Sequence, residues 1–530
     1  MLTLSRSSTP FVHSLARRSC VCSPGKISLR STRSFTTSSA STSASTSAQY
    51  PIHPAICTLL DRLDHLAPAF PLEEDQIEIL NSPSDFYSTL KSKILSAKSL
   101  IFLASLYIGR TEHDLVNTLR TALRQNPFLQ VQLLTDALRG TRESPDPSSA
   151  SLLASLVAEF PDRVHVRLFH TPNLRGISKA VLPSRINEGW GLQHMKLYGF
   201  DSEIILSGAN LSEDYFTNRQ DRYYLFRSSA VTDYYRSIFN AISSLSYVLL
   251  PDTSSPAKYT LSWPESNPGP EPTKRAHAFV RAATKIISPL LHSPISQQSS
   301  LERLCVGSTK TIFYPISQFT PLLDPNTSTE APAITELLSI LKSPDKFSWT
   351  FTAGYFNLHP EYRSRLLESQ TSRGLIITAA PEANGFYQSS GISKHLPPAY
   401  LLLAKRFVQD VAKAHKSKFI HLLEWQNGVL NQPGGWTYHA KGIWLATPKQ
   451  TLPCITVIGS SNFTRRSHTM DLESNGLIVT TDKTLQQKLA DEVDNLLQHT
   501  REMRLEDFNA ENRRVSFGVK AALSMLGLFL

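Results

Sequence analysis

The sequence predicts an α/β protein made of two similar halves that share one site. Three observations carry that expectation. Apolar strand-like runs alternate with helical patterns through the chain. A polar stretch with six prolines, residues 251–272, divides the chain near its middle. A His-x-Lys frame stands on each side of that division, at His194–Lys196 and His439–Lys441.

Each half opens with an apolar strand that ends in an aromatic: "SLIFLASLYIG" with Tyr107, and "FSWTFTAGYFNL" with Tyr355. A helical pattern follows in each, "EHDLVNTLRTALRQ" and "PEYRSRLLESQ", then a second strand, "LQVQLLTDA" and "GLIITAAPEA". Tyr107 to His194 is 87 positions and Tyr355 to His439 is 84, a match that duplication would explain. The expected boundaries are a transit segment over 1–50, a first half over 51–250 and a Pro-rich linker over 251–275. A second half over 276–505 and an amphipathic tail over 506–530 complete the chain.

Composition narrows the class. Hydrophobic residues make up 41% and charged residues 18% of 530, ordinary for a folded protein. The net charge of +10 is uneven, because the first 50 residues hold six Arg and Lys and no acid precedes Asp61. The remaining +4 is weak support for nucleic-acid binding, and no nucleic acid is expected as a partner. A Ser/Thr/Arg-rich, acid-free start reads as a mitochondrial transit peptide. Cys57, Cys305 and Cys454 are too widely spaced for a disulfide framework or a zinc site and suit a reducing compartment such as the matrix. No apolar run reaches the ~18–20 residues of a membrane span. The tail "VSFGVKAALSMLGLFL" could dock on a membrane surface or cap the protein's own core.

In a strand, residues i and i+2 share a face, so each His and its Lys should project together. An apolar strand follows each frame, "EIILSGAN" and "CITVIGSSN", and ends in a small-residue turn before Asn210 and Asn462. His194 to Asn210 is 16 positions and His439 to Asn462 is 23. His194 to Asp221 is 27 and His439 to Glu473 is 34. Both differences are seven, so one insertion, in "ATPKQTLP", keeps the frames in register. Asp201 stands seven residues after His194, and Ala446 stands at the same place after His439.

Two Lys and two Asn converging on one point suit a phosphate diester. One His can attack phosphorus while the other protonates the leaving oxygen. A carboxylate on the far nitrogen would fix each imidazole's tautomer. Counted within its own half, Glu473 is the acid expected to orient His439, with Asp221 its counterpart in the first half. His194, Lys196, Asp201, His439 and Lys441 are the candidate catalytic residues, of which Asp201 reads as more structural than chemical, holding the turn after its strand.

These frames resemble the phospholipase D superfamily, whose motif is His-x-Lys-x4-Asp followed by a Gly/Ser-rich turn and Asn. His194, Lys196, Asp201 and Asn210 match it, and so do His439, Lys441 and Asn462, with no acid at Ala446. The resemblance implies two phospholipase D-like α/β/α sandwich halves packed around one active site, with a phosphohistidine intermediate and no metal or other cofactor. The segments "SLYIG", "PEANGF", "GWTYHAKGIW" and "IGSSNFTRRSHTMDLESN" resemble the branch that makes phosphatidylglycerophosphate in mitochondria. That branch implies CDP-diacylglycerol and glycerol 3-phosphate as substrates and a peripheral place on the matrix side of the inner membrane; the complete first motif favours His194 as nucleophile, with His439 the alternative. Arg465 and Arg466 are candidates for the acceptor phosphate, against the reading of solvated surface charges. Tyr107, Tyr355 and Glu424 are candidates to line the site, with core packing the competing role for the tyrosines. Competing functions are synthesis of phosphatidylserine or cardiolipin, hydrolysis with water as acceptor, and a catalytically inactive scaffold. No G-x-x-x-x-G-K-[ST] occurs, so a nucleoside triphosphate loop is set aside.

Overall fold

The computed structural model describes residues 52–176, 187–292, 298–516 and 519. The transit segment 1–50 and most of the apolar tail lie outside the described residues.

Two nine-stranded sheets carry the chain. In the first, Leu100–Ala104, Gln130–Asp136 and Val164–Phe169 run parallel, separated in sequence by helices such as His113–Gln125 and Ser149–Glu159. Leu197–Phe200 then pairs antiparallel with Leu100–Ala104, followed across the sheet by Glu203–Ser207 and Tyr223–Phe226. The second sheet repeats this order. Ser348–Ala353, Gly374–Ala379 and Ile420–Trp425 are parallel. Lys441–Ala446, Ile455–Gly459 and Glu473–Thr480 follow antiparallel. The internal repeat expected from the sequence is therefore a repeat of sheet topology.

Apolar burial makes three layers. One outer core joins the first sheet to Leu115, Leu119 and Leu123, which lie at helical spacing on His113–Gln125. The other outer core joins the second sheet to Leu337, Tyr362 and Phe407. Between the sheets lies a shared core, where Phe102, Leu206 and Tyr224 of the first half meet Phe313, Trp444 and Ile478 of the second. Truncating a phenylalanine buried there to Ala should cost about 3–5 kcal/mol.

A buried ion pair ties the halves through this layer. Arg222 donates to both carboxylate oxygens of Glu492, at 2.8 and 3.0 Å. It also donates to the Val457 carbonyl at 2.6 Å and packs its guanidinium 3.9 Å from the Trp444 ring. Two low-dielectric charges are stable here because nearly every donor is used.

Two boundaries drawn from sequence need correction. Residues 54–72, assigned to the first half, complete the second: Phe70–Leu72 pairs with Thr311–Phe313, and Ile56, Leu59 and Leu63 enter the second outer core. The Pro-rich linker is partly sheet, since Tyr259–Ser262 pairs with Val248–Pro251 at the edge of the first sheet. Proline tolerance at sheet edges explains why composition hid that strand.

Candidate active site

His194, Lys196 and His439 stand just before strands that begin at Leu197 and Lys441, and Lys441 is itself the first residue of the second. The segments there pair with the opposite half instead. Gln193 forms a parallel bridge with Leu472, and Thr437–Tyr438 pairs parallel with Arg219–Gln220. Backbone bonds finish the seating: His194 N–H donates to the Leu472 carbonyl at 3.0 Å, and His439 N–H to the Gln220 carbonyl at 2.9 Å. Leu472 and Gln220 immediately precede Glu473 and Asp221. Each histidine is thus threaded beside the acid of the other half.

The side chains follow. His194 Nδ1 lies 3.0 Å from both Glu473 oxygens, and His439 Nδ1 lies 2.6 Å from Asp221 Oδ2. The expectation that Glu473 orients His439 is therefore corrected. Counting along one half gives the right residues but cannot show which sheet edge faces which imidazole. With Nδ1 occupied, Nε2 of each ring is left for chemistry, that of His439 lying 3.4 Å from the Tyr215 hydroxyl.

The electrostatics of the two pairs differ. Burial pushes Glu473 up to about 7, opposed by Lys196 and by the Ser460 hydroxyl. Burial also acts on Asp221, but Lys441 and the His439 hydrogen bond outweigh it and hold that carboxyl below its ordinary value. Both imidazoles are lowered well below the usual histidine value, first by burial, then by their neighbouring lysines. Burial lowers Lys196 to about 7 and lowers Lys441 as well. Lys441 Nζ is 3.2 Å from Asp221 and Lys196 Nζ is 2.6 Å from the His194 carbonyl. A glycine turn makes room for this cluster: a Cβ on Gly208 would lie 2.5 Å from both Lys441 Nζ and Asp221 Oδ1.

His194 and His439 face one cavity of 370 Å³, which Asn210 and Asn462 also line. Each Asn keeps a buried side-chain oxygen with no hydrogen-bond partner among the described residues. Side-chain amides can present either end, so both can donate to phosphate oxygens.

Asp201 is remote from this cavity. Its backbone is left-handed, φ 50°. Its carboxylate accepts from the backbone N–H of Lys98, Ser99 and Leu100 and from the Ser99 hydroxyl, at 2.7–3.0 Å. It pins the start of Leu100–Ala104, so its place among the candidate catalytic residues is corrected, and it holds a neighbouring strand as well as its own turn.

The other candidates divide. Tyr107, Tyr355 and Arg466 line the cavity. Tyr355 meets the His439 ring edge-on at 5.3 Å between centroids. Arg465 is exposed and does not line the cavity. Glu424 is buried against Arg513, 2.6 Å away, outside the cavity, so that candidate is corrected. Its strand position was right, but its carboxylate is satisfied by the C-terminal segment. Sequence reasoning missed Tyr215, Arg139, Arg142 and Arg219, which all line the cavity. Arg219 sits two residues before Asp221 and carried a positional signal that was not used.

Paired histidines, cross-held by carboxylates around one anion-binding cavity, define a phospholipase D-type phosphoryl-transfer site. No protein-family model matches the chain. It is 50% identical over 472 residues to a CDP-diacylglycerol–glycerol-3-phosphate 3-phosphatidyltransferase of Saccharomyces cerevisiae, covering 87% of this chain and 90% of that one. The Schizosaccharomyces pombe enzyme of that name is 40% identical, covering 88% and 97%. A mouse enzyme of that name, designated mitochondrial, is 34% identical, covering 88% and 85%. Among solved structures, a phosphatidylserine synthase from Haemophilus influenzae superposes with a TM-score of 0.67 at 21% identity, covering 90% of this chain and 97% of that one. The chain belongs to the family of CDP-diacylglycerol–glycerol-3-phosphate 3-phosphatidyltransferases.

Proposed function

We infer that this chain transfers the phosphatidyl group of CDP-diacylglycerol to glycerol 3-phosphate through a phosphohistidine. The observation that carries the mechanism is the crossed pairing of His194 with Glu473 and His439 with Asp221 at one cavity. His194 Nε2 attacks the phosphorus bearing diacylglycerol. A P–N bond forms and the P–O bond to CMP breaks; CMP leaves as its phosphate dianion, stabilised from the His439 side, and His439 stays neutral as burial favours. His439 then takes the proton of the glycerol 3-phosphate primary hydroxyl. That oxygen attacks phosphorus, the P–N bond breaks, and phosphatidylglycerophosphate leaves. The two lysines and two asparagines stabilise charge on the equatorial oxygens. His194 is assigned as nucleophile because its motif is complete. Its partner Glu473, raised to about 7, is the more basic of the two carboxylates, which suits the imidazole that carries positive charge once it is bonded to phosphorus.

The same reading places the enzyme in mitochondria, peripheral on the matrix side of the inner membrane. The acid-free N-terminus and the mitochondrial designation of the mouse relative support it. Among the described residues, no helix is long and apolar enough to cross a membrane.

The test is to give the purified protein CDP-diacylglycerol with labelled glycerol 3-phosphate, serine, phosphatidylglycerol or water alone. Label in phosphatidylglycerophosphate supports the assignment, and transfer only to serine, or only hydrolysis, overturns it. Acid quench should trap a labelled phosphatidyl-enzyme that His194→Ala cannot form and His439→Ala accumulates.

A further inference from the structure

Counting from the asparagine of each half exposes a reversed pair. Four and nine residues after Asn210 stand Asp214 and Arg219; four and nine after Asn462 stand Arg466 and Asp471. Both pairs form ion pairs, Arg219 Nη2 to Asp214 at 2.8 Å and Arg466 Nε to Asp471 at 3.0 Å. All four residues line the cavity. The halves thus present the same ion pair with opposite polarity, and this breaks the two-fold symmetry of an otherwise repeated site.

The reversal puts the two guanidiniums in different places. Asp471 also accepts the Leu192 N–H at 3.0 Å, and Arg466 donates to the Glu188 carbonyl at 3.0 Å. That pair clamps the chain entering His194 and is spent on structure. Arg142 is likewise bound through two nitrogens to Glu188. Arg219 belongs to the His439 side. Its guanidinium lies 4.6 Å from the Tyr215 ring, and that ring lies edge-on 5.2 Å from His439. Its Nε donates to Thr437, two residues before His439, at 2.9 Å.

In-line displacement puts the incoming hydroxyl on the face of phosphorus opposite the nucleophile. With His194 bonded to phosphorus, that is the His439 face, and the rest of the acceptor must extend from there. We propose that Arg219, shelved on Tyr215 and aimed by Asp214 and Thr437, binds the phosphomonoester of the acceptor and selects a phosphorylated polyol over a neutral one. On this proposal Arg466, also in the cavity, serves the His194 side rather than the acceptor phosphate. Arg is suited to the task because its planar fork meets two phosphate oxygens at once. The proposal rests on phosphatidyl transfer with His194 as nucleophile.

The experiment compares kcat/KM for glycerol 3-phosphate and for glycerol, the same acceptor without its phosphate, using CDP-diacylglycerol in mixed micelles. Arg219→Gln should lower the preference for glycerol 3-phosphate by about 10–100-fold, in line with loss of one charged bidentate contact. Arg466→Gln should depress both acceptors alike. A second variant, Arg219→Lys, keeps the charge beside Asp214 and so guards against simple unfolding; lacking the planar fork, it should recover only part of the preference. An unchanged ratio in Arg219→Gln, or an equal loss in Arg466→Gln, overturns the proposal. Wild-type protein that does not use glycerol 3-phosphate would instead overturn the transferase reading itself.

Discussion

His439 is held by Asp221, a residue 218 positions earlier in the other half, at 2.6 Å. Its partner His194 is held by Glu473 in the same crossed sense. Among the described residues neither imidazole takes its orienting acid from its own half, so the arrangement depends on the contact between the two sheets.

Glu473 sets a pH dependence. Burial raises it to about 7. Above that value the carboxylate accepts from His194 Nδ1–H, leaving Nε2 with its lone pair. Below it, protonated Glu473 donates to Nδ1, and Nε2 carries the proton and cannot attack. Exchange of labelled CMP into CDP-diacylglycerol should therefore rise with pH about a midpoint near 7. Glu473→Gln should slow it about a thousandfold and remove that midpoint. A wild-type profile flat from pH 6 to 8 would contradict this assignment.

Asp201 should matter for stability more than for turnover. Removing four hydrogen bonds to a carboxylate in Asp201→Ala should cost about 1–3 kcal/mol, measured by urea unfolding. Residual activity of the folded fraction should stay well above that of Asp221→Ala. The partly buried Asp201 would be raised by desolvation alone, but the Ser99 hydroxyl and three backbone N–H groups hold it below its ordinary value. Its stabilising contribution is therefore complete above the ordinary Asp value and lost as pH falls through the lower folded one. Asp201→Asn should flatten that acid limb.

Gly208 tests the space around the cluster. A methyl group there meets Lys441 Nζ and Asp221 Oδ1 at 2.5 Å. Displacement of these groups by an ångström should reduce kcat by about a hundredfold in Gly208→Ala, with circular dichroism unchanged. Near-normal kcat would show that the lysine can shift without consequence.

Breaking the buried tie between halves should be costly. Arg222→Met leaves Glu492 charged and unpaired, and chemical denaturation should show a loss of about 3–5 kcal/mol. Adding Glu492→Leu should restore much of it. If the double variant is no more stable than the single, Arg222 acts mainly through its carbonyl and Trp444 contacts.

Much of the site was readable because catalytic residues keep fixed distances along each half. The shared seven-residue offset located His194, His439, Asn210, Asn462 and both acids in sequence. It could not show the crossed pairing, which depends on bridges such as Gln193 to Leu472 between segments far apart in the chain. Strand Phe70–Leu72 was assigned to the wrong half for the same reason, since period and composition do not name a partner strand. Glu424 illustrates another limit: a buried acid at a strand end reads alike whether it meets substrate or Arg513. Arg219 was visible in the spacing from Asn210, but only its cavity position gave that spacing a meaning.

The crossed acids also govern when the enzyme first becomes competent. Glu473 follows His194 by 279 positions, so the acid is synthesised long after the histidine it holds. A nascent chain carrying only the first sheet holds its nucleophile without the carboxylate that arms it. A chain cut between the two histidine frames should therefore be inactive, because its His194 lacks the acid that fixes its tautomer.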